Sequence, residues 1–110
     1  MFDEPELHID RVASQDGTVL LHLRGELDLG SADLLRRALA ALPADVTSIV
    51  LELRGVDFMD STGLAALIAA RNAAVRAGRA FRTTGAAGSV RLLIDRTATG
   101  PMLETIGPDE

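Results

Sequence analysis

Between Thr18 and Val75 the chain alternates strand-like and helix-like patterns, and this alternation restricts its fold more than any other feature. Val19, Leu21 and Leu23 alternate with Leu20, His22 and Arg24, the period of a strand. Gly25 to Gly30 breaks that period. Ser31 is of a type that caps helices, and Asp33 follows where the helix dipole favours an anion. Leu35, Ala38, Leu39 and Leu42 then recur at helical spacing, with Arg36 and Arg37 outside the stripe, until Pro43 stops the helix. Thr47 to Leu53 reads as a strand. Ile49, Leu51 and Leu53 share one face, and Val50 on the other predicts burial on both sides. A second helix, from Ser61 to Ala77, carries Leu64, Leu67, Ile68 and Val75 on its apolar face, with Arg76 in the last turn and Gly78 as its stop. Strand, helix, strand, helix predicts right-handed crossovers and a mostly parallel sheet.

The flanks extend this unit. Residues 1–5 read as a tail, and residues 6–24 as an antiparallel hairpin. Its turn is Ser14-Gln15-Asp16-Gly17, because glycine accepts positive φ. Ala80 to Thr84 is a further short strand, and Gly85-Ala86-Ala87-Gly88 is a loop. Ser89 can cap a short helix with Val90, Leu93 and Ile94 as its apolar positions, ended by Gly100-Pro101. Met102 to Ile106 adds an edge strand or a last short helix. The whole is expected to be one domain, residues 6–110, after a tail at 1–5.

Composition excludes several classes of function. The 110 residues are 47% hydrophobic, enough for one core. There is no Trp or Tyr and there are three Phe, so that core is aliphatic. The absence of Cys removes disulfides and thiolate metal sites and fits a reducing cytoplasm. A net charge of −5 argues against binding a phosphate backbone as the main activity, so no direct nucleic-acid partner is expected. All eleven basic residues are Arg. The longest apolar run, Leu64 to Ala70, is far below the roughly 20 residues of a membrane span. The acidic start, Met1 to Pro5, lacks the features of a signal peptide. Two histidines, His8 and His22, make a poor metal set, so no metal is expected. Gly85 to Gly88 lacks the Gly-Lys-Ser/Thr ending of a nucleotide-binding loop, so no cofactor is expected. The acid pairs Asp57/Asp60 and Glu26/Asp28 sit where dipole and capping effects place acids in any case. No catalytic set stands out.

The densest chemistry lies in Val56 to Leu67. Asp60, Ser61 and Thr62 are three candidate helix caps in a row, followed by Gly63. One reading is a well-capped helix. The other is a phosphate switch, since a hydroxyl at a helix N-terminus meets free N–H groups and a favourable dipole once phosphorylated. Gly63 leaves room for another chain to come close. In a parallel sheet the loops after the strands gather on one edge, so Asp28, after the second strand, is expected near Asp57 to Thr62, after the third. Such acids suit an Arg-bearing partner surface or form a solvated rim.

Phe58-Met59-Asp60-Ser61-Thr62-Gly63-Leu64 resembles the signature of bacterial anti-sigma factor antagonists, the small stand-alone STAS domains. Arg24-Gly25-Glu26-Leu27-Asp28 is similar to a second landmark of that family, and the resemblance runs from about Leu7 to Ile106. It implies a single α/β domain, a mixed four- to five-stranded sheet with helices packed mainly on one face. It implies a cytoplasmic, non-enzymatic switch. The unphosphorylated form binds an anti-sigma factor that is also a serine kinase, and so frees the sigma factor. Phosphorylation at Ser61 turns binding off, and a serine phosphatase restores it. Asp28, Met59, Asp60, Ser61, Thr62 and Gly63 are the partner-binding residues this resemblance implies. A STAS scaffold subunit of a stress-sensing or lipid-transport assembly, and a small ligand-binding domain, are the alternatives.

Overall fold

A computed structural model describes residues 7–14 and 16–97. Gly17, at φ +89°, turns the first strand back on itself, and the Ser14 N–H donates to the Thr18 carbonyl at 2.9 Å. The hairpin so closed joins β1 (Leu7–Ala13) to β2 (Thr18–Leu27). There follow α1 (Ala32–Ala40), β3 (Ser48–Met59), α2 (Ser61–Arg76), β4 (Ala80–Thr84) and α3 (Gly88–Arg96). Among the described residues the sheet has four strands in the order β1-β2-β3-β4. The first pair is antiparallel and the other two are parallel, the mixed sheet that the sequence implied. The tail at 1–5, Gly100-Pro101 and the segment Met102 to Ile106 lie outside the described residues.

The register brings Val19, Ile49 and Phe81 into one row and Leu21, Leu51 and Thr83 into the next, and all six are buried. On the opposite face Leu20, His22 and Arg82 are half-buried. The core is aliphatic around Phe81, as the composition required, and Val90 and Ile94 of α3 join it.

Both central strands run further than their sequence pattern. β2 continues through Gly25 to Leu27, and β3 continues past Leu53 to Met59. Asp57, Phe58 and Met59 therefore belong to the strand and not to the loop after it. The reason is bulging. Between the pairs His22↔Glu52 and Leu27↔Met59, β2 advances five residues and β3 seven. Two extra residues on β3 break the two-residue period on which a strand is recognised. Gly55 marks one close approach, since a Cβ there would stand 2.9 Å from the Leu23 carbonyl oxygen.

The helices depart from expectation at their ends. Ser31 occupies the N-cap position of α1 but makes no cap. Its hydroxyl instead donates to the Glu26 carbonyl at 2.7 Å and accepts the Asp28 N–H at 3.1 Å. Ser89 does not cap α3; Ala87 holds that position and Ser89 lies inside the helix. α2 buries Leu64, Leu67, Ala70 and Ala74, while Ile68 is half-buried and Val75 is 46% exposed. Val75 falls off the buried stripe because Gly63, Leu67, Ala70 and Ala74 recur at helical spacing and Val75 stands one residue round from the last of them. Gly78, at φ +76°, ends α2 as expected, with Gly78 N–H on the Val75 carbonyl and Arg79 N–H on the Ala74 carbonyl. The Arg79 guanidinium then donates to the Val46 and Pro43 carbonyls, both at 2.9 Å, fastening this end of α2 to the loop before β3.

Candidate functional site

Leu27 and Met59, the last residues of β2 and β3, are register partners. Asp28 and Asp60 therefore leave the sheet side by side, which is the juxtaposition expected of the two loops. Each acid first serves its own backbone. Asp60 is the N-cap of α2: its Oδ1 accepts the Gly63 N–H at 2.9 Å, and its carbonyl accepts the Leu64 N–H at 2.9 Å. Asp28 Oδ1 accepts the Gly30 N–H at 3.0 Å and the Ser31 N–H at 3.2 Å, folding the loop into α1.

With Asp60 as the cap, the two hydroxyls beside it are left over. Ser61 is the first residue of α2 and is exposed; Thr62 is half-buried. Neither side chain caps the helix. The backbone N–H groups of Ser61 and Thr62, which precede the first intrahelical bond, have no acceptor among the described residues. The site is thus an exposed serine hydroxyl at the positive end of a 16-residue helix, with two carboxylates at hand.

Gly63 does not open a gap for another molecule. A Cβ at position 63 would lie 2.0 Å from the Leu27 carbonyl oxygen and 3.0 Å from Met59 Cγ. The chain that comes close is this chain's own β2, and Gly63 is buried beneath it. Met59 is likewise turned inward, at 6% exposure.

Two residues absent from the sequence-based set flank the serine edge. Leu29, one residue past Asp28, is 78% exposed, and Phe58, two before Asp60, is 45% exposed. Leu29 sits between an acid and a glycine in a loop, where an apolar residue has no core to enter; that placement was the available signal. Phe58 was hidden because the bulged end of β3 does not alternate. Asp57 and Glu26 are exposed near the same edge. His22 lies in the middle of β2, with its Nδ1 3.9 Å from Glu52 Oε1, and His8 lies on β1. No group of three or more His, Cys, Asp or Glu side chains able to hold a metal occurs among the described residues. No described helix is long and apolar enough to cross a membrane.

A family model described as STAS domain matches residues 11–109. The fold is similar to that of an anti-sigma factor antagonist from Mycobacterium paratuberculosis, with a TM-score of 0.77 and 23% identity over 94% of this chain and 87% of that one. It is similar to the anti-sigma factor antagonist SpoIIAA in its unphosphorylated form, with a TM-score of 0.69 and 22% identity over 87% of this chain and 85% of that one. A match to the structure of Mglu, at 25% identity and a TM-score of 0.57, covers 69% of this chain but only 18% of that one. No curated protein matches the chain.

Proposed function

Because the chain belongs to the STAS domain family, we propose that it acts as a cytoplasmic anti-sigma factor antagonist whose partner binding is switched off by phosphate on Ser61. In this reading the unmodified domain binds an anti-sigma factor that is also a serine kinase and releases the sigma factor. The kinase adds the phosphate, and a serine phosphatase removes it. The observation that carries the reading is the exposed Ser61, placed directly after the capping Asp60 and beside the end of β2.

The physics favours a local block. A phosphate on Ser61 adds about −1.5 to −2 charge at pH 7. The free N–H groups and the dipole at the start of α2 stabilise that charge by about 0.3–1 kcal/mol, so the domain stays folded. Ser61 takes no part in the cap or the core, so its modification removes no internal bond. The new charge sits near Asp60 and Asp28 in a chain already at −5. A partner surface shaped for a hydroxyl would have to bury it, and a buried unpaired charge costs several kcal/mol.

The contact surface is Asp28, Asp60, Ser61 and Thr62, with exposed Leu29 and Phe58 supplying apolar area. Met59 and Gly63 serve it from below, by fixing the start of α2 against β2. The test is a titration of an anti-sigma factor with the unmodified domain, the phosphoprotein and Ser61→Ala. Unmodified domain and Ser61→Ala should bind alike, and the phosphoprotein at least about tenfold more weakly, a difference of roughly 1.4 kcal/mol. Equal affinity of phosphorylated and unmodified forms overturns the mechanism.

A further inference from the structure

The helical side of the domain carries a groove of about 610 Å³ between α1 and α2, floored by Ile49 of β3. That size lies within the range of small-molecule sites. It exists because the facing positions of α2 are alanines. Ala66, Ala69, Ala70 and Ala73 present methyl groups where longer side chains would fill the space between two helices on neighbouring crossovers. Protein interiors ordinarily close such space.

The groove has two unlike ends. One end reaches exposed Leu29, and the α2 wall from Ala66 to Ala74 is apolar. At the other end stand Arg76 and Arg79. Arg79 gives Nε and one Nη2 hydrogen to two backbone carbonyls and keeps its charge. Arg76 is exposed and pairs with no carboxylate among the described residues. Along the wall, Arg36 is matched by Asp33 at 2.6 Å. Three guanidiniums against one carboxylate make this lining positive, in a chain whose net charge is −5. From Ala66 to Arg76 the helix rises about 15 Å, the length of an extended medium-chain acyl tail.

We propose that the α1–α2 groove binds a free medium-chain carboxylate, with the tail along the alanine wall and the carboxylate at Arg76 and Arg79. Apolar lining selects the tail. The cationic end selects the sign of the head group, because a guanidinium pairs well with a carboxylate. The groove meets the Ser61 edge at Leu29, but its cationic end lies at the opposite end of α2, and the proposal does not depend on the reading given to that edge.

The probe is dodecanoate, titrated into the full-length protein below its micellar concentration and followed through alanine methyl resonances and calorimetry. Saturable one-to-one binding, with shifts at Ala66, Ala69 and Ala73, is expected. Hexanoate and dodecyltrimethylammonium should each bind at least about tenfold more weakly. Ala73→Leu fills the groove from an exposed helix position and should weaken dodecanoate by a similar factor with an unchanged melting temperature. Arg76→Gln should reduce the preference for carboxylate over trimethylammonium. Equal binding of the two head groups, or undiminished binding by Ala73→Leu, overturns the proposal. So do methyl shifts that depend on protein concentration and not on dodecanoate, which would make the groove a contact between copies, and contacts from residues 98–110 to Ala73 that dodecanoate leaves in place.

Discussion

The carbonyl oxygen of Leu27 occupies the place where a side chain on Gly63 would begin, 2.0 Å from an ideal Cβ. This one approach sets the start of α2 against the end of β2. It holds Asp60, the cap, next to Asp28, and it leaves Ser61 facing out. In an ordinary helix, glycine is about 0.5–1 kcal/mol worse than alanine. Here that preference is reversed by contact.

Gly63→Ala is therefore expected to destabilise the domain by about 1–3 kcal/mol or more, because the neighbour is backbone and cannot rotate away. Denaturant unfolding measures it. A stabilised Gly63→Ala would mean that α2 moves freely against β2.

Phosphorylation should report on geometry as well as chemistry. With a cognate kinase and ATP, Ser61→Ala is expected to abolish labelling, whereas Thr62→Ala retains it, since Thr62 is half-buried and stiffened by β-branching. Mass mapping of phosphate to Thr62 in the unsubstituted protein would refute the assignment.

The buried and exposed positions of α2 differ sharply. Leu67 is fully buried, and Leu67→Ala should cost about 2–5 kcal/mol. Val75→Ala should stay within about 0.5 kcal/mol, since the side chain is nearly half exposed. Thermal or chemical melts of the two variants decide it, and similar losses would contradict the orientation of the helix.

Asp33 gives a pH signature. The Arg36 side chain hydrogen-bonds its carboxylate, and the charges of Arg36 and Arg37 add to this, so its pKa lies below the ordinary carboxylate value. A carboxyl depressed on folding contributes stability above its unfolded pKa and loses it as pH falls through the lower, folded one. Asp33→Asn should thus lose a small, salt-screened stabilisation at neutral pH and be no less stable than the parent in strong acid. A difference that persists unchanged into strong acid would show that charge is not the source.

What the sequence makes legible follows from which signals survive folding. The hairpin, both crossovers and the Gly78 stop are legible because Asp16-Gly17, the helical spacing of Leu35 and Leu39, and a positive-φ glycine act locally. The end of β3 is not, because two bulged residues erase the alternation at Asp57 and Phe58. The serine edge is legible as a pattern of Asp60, Ser61 and Thr62, but which of them caps depends on helix direction in space. Gly63 is legible as special; that its neighbour is Leu27 requires the parallel pairing of β2 and β3. The alanine groove is invisible in sequence, since alanine on a helix signals only propensity until a second helix stands opposite.

Ser31 and Ser61 each open a helix that follows a strand, yet one is 1% exposed and the other faces solvent. The Ser31 hydroxyl is spent on Glu26 and Asp28, so an enzyme meeting the native molecule is offered one serine of the two. Selection between them is thus made by the fold, before any recognition of local sequence. A chain that has lost its tertiary structure offers both. Modification at Ser31 would then be a mark of damaged molecules, and the ratio of the two labels a gauge of how much of a preparation is native.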